Sequence, residues 1–237
     1  ANINMLGLSS HDHKVNFCKF TNETRLAIED ASHHSGQRYI CSINGIAAGG
    51  GYELALACEE ILLADDGNSA VSLPELPLLA VLPGTGGLTR LVDKRLVRRD
   101  HADFFCTTAE GLRGKRAREW RLVDRLVPPS KLAEETKKIA EETAARSARP
   151  KNAKGIALPR VDRQIDGDTI RYAHLTVEID RGQRAARLRI MGPSAAPPAD
   201  AAAIQTQGTA FWPLALARDL DDAMMHLRLN ETEIGTW

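Results

Sequence analysis

Two glutamates stand out by what surrounds them. Glu53 closes the run Asn44-Gly45-Ile46-Ala47-Ala48-Gly49-Gly50-Gly51-Tyr52-Glu53, which sets a backbone bare of side chains at a helix start and a carboxylate in its first turn. N–H groups exposed there can hold an oxyanion, and the helix dipole adds to the effect. Gly49, Gly50 and Gly51 also admit a ligand close to the main chain and accept positive φ. Glu75 follows Leu73-Pro74 at the predicted exit of a buried strand, where α/β sheets present reactive groups. As a pair, the carboxylates suit one reacting carbon, one group deprotonating water and the other delivering a proton. Each also has a plainer account alone: Glu53 favours a helix N-terminus by its charge, and Glu75 is a solvated loop side chain.

A third segment, Pro83-Gly84-Thr85-Gly86-Gly87, opens another helix. It lacks the Lys-Ser/Thr ending of a Walker loop and the G-x-G-x-x-G spacing of a dinucleotide site, so it does not point to nucleotide binding. His11, His13, His33 and His34 have no carboxylate or thiol at ligand spacing and are expected at the surface, with no metal. Cys18, Cys41, Cys58 and Cys106 form no Cys-x-x-Cys pair and read as buried thiols of a cytoplasmic protein.

These candidates need rigid elements behind them. Phe17, Thr21, Thr24, Ile28 and Ala31 recur at helical spacing and predict a helix over 14–34, stopped by Ser35-Gly36. Nearly continuous apolar runs at 39–43, 61–64, 70–73 and 123–127 predict strands covered on both faces. Helices are predicted to follow Gly49 and Pro83, and at 100–106, 115–120 and 130–148. In the last of these, Leu132, Thr136, Ile139, Ala140 and Thr143 share a face, Ser130 is the N-cap, and Glu134 supports Lys138. Alternating strands and helices give an α/β domain over 1–148. Arg149-Pro150-Lys151-Asn152-Ala153-Lys154-Gly155 is basic and poor in large apolar residues, and it opens a linker over 149–168. From 169 to 237 a second unit begins. Leu175, Val177 and Ile179, then Ala186, Leu188 and Ile190, alternate about Arg181-Gly182 as a hairpin, and Trp212, Leu216, Leu220, Ala223, Met224 and Leu227 line a helix.

Lys plus Arg and Asp plus Glu each total 31 in 237 residues, so no net basic field draws in nucleic acid or an anionic membrane. No apolar run approaches the roughly 20 residues that cross a bilayer. The missing initial Met and the unpunctuated ending Gly235-Thr236-Trp237 suggest a chain truncated at both ends.

Residues 44–58, 70–75 and 83–90 together resemble, in order and spacing, the signature blocks of the crotonase (enoyl-CoA hydratase/isomerase) superfamily. The resemblance implies the ββα spiral fold of that superfamily, followed by the start of a second crotonase-like unit. It implies an acyl-CoA thioester as substrate, no cofactor beyond the coenzyme A that the substrate carries, no metal, and a homo-oligomer, dimeric for the full-length enzyme. It makes Glu53 and Glu75 the catalytic carboxylates, the N–H groups of Ala1 and Gly50 the oxyanion hole, and Gly49, Gly51, Pro83 and Gly84 pocket residues. The segment 75–84 is one residue longer than in the usual hydratase, and with 15–25 and 227–231 it is similar to the lyases that open the ring of 2,3-epoxybenzoyl-CoA. An enoyl-CoA hydratase/isomerase acting on an aliphatic acyl-CoA, or a non-catalytic module of the same fold, remains open at this point.

Overall fold

The structure, a computed structural model, describes residues 3–149, 152 and 155–237, and only the backbone of Ile3. The chain divides into two compact units, Ala1–Pro150 and Lys151–Trp237.

The first unit starts with α1 (Ile3–Leu8) and the long α2 (His11–His34). Next come β1 (Ile40–Ile43), β2 (Ile46–Ala48), α3 (Gly50–Ala57), β3 (Glu60–Ala64), β4 (Ala70–Ser72), α4 (Glu75–Leu79) and α5 (Gly87–Asp93). The unit continues through α6 (Arg99–Cys106), β5 (Leu112–Arg113), α7 (Gly114–Glu119), β6 (Arg125–Val127), a 3-10 turn (Pro129–Lys131) and α8 (Leu132–Ala145). Strands of one sheet run in the order β1-β3-β6, all parallel, and those of the other in the order β2-β4-β5. Each strand pair sends one strand to each sheet before a helix: β1, β2, α3, then β3, β4, α4. This is the strand-strand-helix repeat of a ββα spiral.

The period of two along β3 sets the layers. Ile61 and Leu63 point into a core shared with Tyr52, Leu56, Leu73, Leu91 and Phe105. Leu62 and Ala64 point the other way, onto Val127 of β6 and Leu132 and Ile139 of α8. All four of these β3 side chains are buried, and each large one contributes roughly 1.5–3 kcal/mol of transfer free energy. A strand clad on both faces explains why its sequence is an unbroken apolar run. Tyr52, fully buried on α3, donates its hydroxyl to Leu122 O at 2.7 Å and meets Phe105 edge-on. That bond satisfies its one polar atom and fixes the inner face of α3 beside Glu53.

Some local expectations fail for physical reasons. Ser130 lies inside the 3-10 turn that begins at Pro129, so α8 starts at Leu132 without a side-chain cap. Its ion pair is Lys137–Glu141, not Glu134–Lys138. Cys18 is exposed on α2, Cys41 half-buried, and only Cys58 and Cys106 are buried. The expected apolar face of α2 is no more than half-buried; Arg25 and Ser32 are its buried residues. β2 and β5 escaped the sequence because three and two residues carry no readable alternation.

The second unit is an antiparallel sheet in the order β10-β9-β8-β7, built from β7 (Gln164–Asp166), β8 (Thr169–Arg171), β9 (Leu175–Asp180) and β10 (Ala185–Ile190). α9 (Ala201–Gln207) and α10 (Trp212–Asn230) follow. Leu175, Val177 and Ile179 of β9 pack with Ala223 and Leu227 of α10, as alternation and helical spacing demand. Asp219 on α10 is buried and accepts the His174 N–H at 2.9 Å, which ties helix to sheet. β7 lies within the span expected as linker and is exposed along its length. No helix among the described residues is long and apolar enough to cross a membrane.

Gly111 tests how tightly the second sheet of the first unit is packed. Its φ is +67°, and a Cβ there would lie 2.0 Å from Val71 O and 2.5 Å from Ser72 Cβ. Gly111→Ala is expected to lose about 3 kcal/mol or more in urea unfolding, since strain and a backbone clash add. Gly67→Ala, at φ +73° in open space, should lose only about 1 kcal/mol.

Candidate active site

α3 places Glu53 and the turn before it in one stroke. Gly49 is the helix N-cap at φ +54°, and its own N–H is taken by Ser72 O at the end of β4, 3.0 Å away. Glu53 N–H closes the first turn on Gly49 O at 2.9 Å. Gly50 is exposed at the first helical position, where a backbone N–H has no intrahelical partner. Gly51 is likewise exposed, and nothing lies within 4 Å of a Cβ built on either residue. Ala1, the other expected oxyanion donor, lies outside the described residues.

The Glu53 side chain is 2% exposed, and Oε1 accepts two backbone bonds, from Thr85 N–H at 3.0 Å and Gly87 N–H at 2.8 Å. Both donors belong to the Gly-rich segment that leads into α5, with Gly87 its first helical residue. A Cβ on Gly87 would come 3.0 Å from Glu53 Cγ and from Leu73 Cδ1, so a larger residue there would press on the carboxylate arm and shift it by a few tenths of an ångström. In that segment Pro83 is buried and Gly84 exposed.

Glu75 opens α4 and is not the loop residue of the plainer account. Its carboxylate rests against Gly49: a Cβ there would stand 2.6 Å from Glu75 Oε1. Oε2 is buried and has no hydrogen-bond partner. Burial raises the Glu75 pKa above the ordinary glutamate range, and the Glu53 charge pushes the same way, against a backbone hydrogen bond that lowers it. The two carboxylates thus feel each other, and each lies against a glycine. After Glu75 come five exposed apolar side chains, Leu76, Leu78, Leu79, Val81 and Leu82.

Thr85 and Gly87, which hold Glu53 through backbone N–H groups, were missed as functional residues; a main-chain donor has no sequence signal beyond the glycine that exposes it. His11, His13, His33 and His34 are exposed on α2, with His34 3.6 Å from Asp30. Among the described residues no group of three or more His, Cys, Asp or Glu side chains is placed to hold a metal ion.

Residues 21–175 match the profile of the enoyl-CoA hydratase/isomerase family. The benzoyl-CoA-dihydrodiol lyase of Aromatoleum evansii is 54% identical over 237 residues, covering 100% of this chain and 43% of the relative. The fatty acid oxidation complex subunit alpha of Shewanella loihica is 38% identical over 131 residues, 55% of this chain and 17% of that one. The chain therefore spans less than half the length of these curated relatives. Among solved structures, an enoyl-CoA hydratase from Geobacillus kaustophilus HTA426 superposes with a TM-score of 0.54 at 36% identity, covering 61% of this chain and 52% of its own. One from Bacillus anthracis gives 0.53 at 31%, covering 62% and 53%. The two-sheet repeat, the paired carboxylates and the family profile over 21–175 agree, and this chain belongs to the enoyl-CoA hydratase/isomerase family of the crotonase superfamily.

Proposed function

We propose that this chain is the catalytic portion of a cytoplasmic carbon–carbon lyase that opens the ring of 2,3-epoxybenzoyl-CoA in aerobic benzoate degradation. The observation that carries an acid/base role is the buried, unpartnered Oε2 of Glu75, electrostatically coupled to Glu53. A fold gains nothing from a buried carboxylate oxygen without a donor, so the arrangement favours a site that a substrate completes. The choice of substrate rests on the 54% identity to a benzoyl-CoA-dihydrodiol lyase.

In this reaction the substrate takes up two waters and yields 3,4-dehydroadipyl-CoA semialdehyde and formate. Gly50 N–H, with Ala1 N–H as second donor, polarises the thioester carbonyl and draws charge from the ring onto its oxygen. Glu53, held at a fixed place by the Thr85 and Gly87 amides, takes a proton from each water in turn, the first as it opens the epoxide and the second as it attacks the carbon that leaves as formate, and returns it to solvent between the two steps. Glu75, with its pKa raised by burial, retains a proton more readily and serves as donor to the departing oxygen or carbon. The exposed apolar run after Glu75 supplies a surface suited to an aromatic acyl group. The chemistry calls for no cofactor beyond the coenzyme A of the substrate. The second unit is proposed as the opening of a second crotonase-like domain, and the full-length enzyme as a homodimer.

A second account is favoured by the likeness to solved enoyl-CoA hydratases: water addition to an aliphatic enoyl-CoA through the same carboxylates. Full-length protein should release formate from 2,3-epoxybenzoyl-CoA and leave crotonyl-CoA unchanged; turnover of crotonyl-CoA without formate release favours the hydratase. Glu53→Gln and Glu75→Gln should each lower kcat by roughly 10²–10⁴ while KM changes less than about threefold. Unaltered kcat in both variants would show that neither carboxylate carries the acid/base chemistry, and no turnover of either thioester by the wild type would leave a non-catalytic module.

The raised Glu75 pKa also predicts a pH dependence of stability. The folded state holds this proton more tightly than the unfolded chain, so Glu75 favours folding below the ordinary glutamate range. That advantage is lost as pH rises through the raised folded pKa, and ionised Glu75 is then a fixed burden. Glu75→Gln should therefore match the wild type in urea midpoint near pH 4 or below and exceed it at about pH 7. An equal midpoint at both pH values would contradict the burial of this carboxyl.

A further inference from the structure

The segment that clasps Glu53 is itself tied to α2 by a polar stripe, and its charges are costly to bury. Thr21, Asn22, Arg25 and Glu29 share one face of α2 by their spacing. Thr21 Oγ1 lies 3.2 Å from Thr85 Oγ1, and Asn22 Nδ2 donates to Gly84 O at 3.1 Å. Arg90 on α5 donates through Nη1 to Gly86 O at 3.2 Å, while its Nε and Nη2 grip the two oxygens of Glu29 at 2.6 and 2.5 Å. Glu29 Oε2 also accepts from Arg25 Nη1 at 2.8 Å. Lys94 Nζ, 4.0 Å from Glu29, donates to Ala57 O at the last residue of α3. One carboxylate on α2 is thus surrounded by three cations that reach the Glu53 clasp at one end and the end of α3 at the other.

Stability alone gives a poor reason for this arrangement. Arg25 is 6% exposed and leaves its Nε without a partner, and desolvating such a cluster offsets much of its Coulomb gain. An apolar stripe would seat the helix at less cost, but it would not hold the carbonyls of Gly84 and Gly86. With those carbonyls fixed, the N–H groups of Thr85 and Gly87 are aimed the opposite way, at Glu53 Oε1.

We infer that the Arg25–Glu29–Arg90 bridge, with Asn22, positions Glu53 by locking the 83–87 segment, so that α2 residues remote from the reacting atoms set the aim of the base. The inference rests on the catalytic role assigned to Glu53 above. Arg25, Glu29, Asn22 and Arg90 are positioning residues, none of which touches the Glu53 carboxylate directly.

The test compares Glu29→Gln, Asn22→Ala and, as control, Glu60→Gln, which breaks the Glu60–Arg125 ion pair elsewhere in the unit. Amide hydrogen exchange at Thr85 and Gly87, read by mass spectrometry or NMR, should quicken about tenfold or more in Glu29→Gln and less in Asn22→Ala, with no change in Glu60→Gln. In the full-length enzyme, kcat should fall about tenfold to a hundredfold in Glu29→Gln with KM nearly constant. Wild-type protection of these amides in a folded Glu29→Gln or Asn22→Ala protein overturns the inference. If Glu29→Gln does not fold, Asn22→Ala decides on the same exchange readout. Quickened exchange in a protein without acyl-CoA turnover would uphold the clasp while sinking the functional proposal on which its catalytic meaning depends.

Discussion

The fold of the first unit closes around one buried carboxylate. Glu53 is almost wholly withdrawn from water, and two main-chain N–H groups, those of Thr85 and Gly87, receive its Oε1. Because the donors are backbone groups, their positions are set by the path of the chain. The path is set in turn by Gly87, which packs closely against Glu53, by the Gly84 carbonyl held by Asn22 of α2, and by the Gly86 carbonyl held by Arg90 of α5. At the N-cap of α3, Gly49 is anchored to the end of β4 and gives Glu75 a surface to lie against. Helix, two strand exits and a Gly-rich segment therefore meet where a buried Glu53 and a half-buried Glu75 each lie against a glycine.

Much of this could be read from residue types alone. Three glycines before Tyr52-Glu53 announced a helix N-terminus with a carboxylate in its first turn, and α3 has that form. Apolar runs located β1, β3, β4 and β6, but only β3 and β4 are covered as expected; Ser42 on β1 and Arg125 on β6, the edge strands of their sheet, are exposed. The hairpin of β9 and β10 followed from alternation about Arg181-Gly182. What stayed hidden was of two kinds. Backbone donors such as Thr85 N–H leave no mark in side-chain chemistry. Polar residues on a buried face misdirect periodicity: Thr21 and Thr24 were counted toward an apolar stripe on α2, whereas the deepest side chain there is Arg25, whose role depends on Glu29 and, across 61 residues, Arg90. Ser130 failed as a cap for a related reason, since the adjacent Pro129 starts a 3-10 turn that swallows it.

Family membership and chemistry stand at different levels. The family profile over 21–175 establishes kinship, and a crotonase-type fold serves many reactions on coenzyme A thioesters. The profile does not choose among them, and the exposed apolar run from Leu76 to Leu82 that follows Glu75 is the feature of this chain nearest in sequence to the paired carboxylates. The second unit has a core of its own, from Ile170 to Ile234, and its sheet is purely antiparallel where the first unit's β1-β3-β6 sheet is purely parallel. That difference in topology, with its own core, marks it as a compact unit distinct from the first.

The central claim is that Glu53 and Glu75 share one site and sense each other's charge. A carbon-13 NMR titration of the Glu75 carboxyl, in the wild type and in Glu53→Gln, measures this directly. The account predicts a raised Glu75 midpoint in the wild type and a lower one once Glu53 is neutral, because the Glu53 charge contributes to the elevation. A Glu75 midpoint that stays where it was after Glu53→Gln would show two carboxylates that do not interact, and the account would fail.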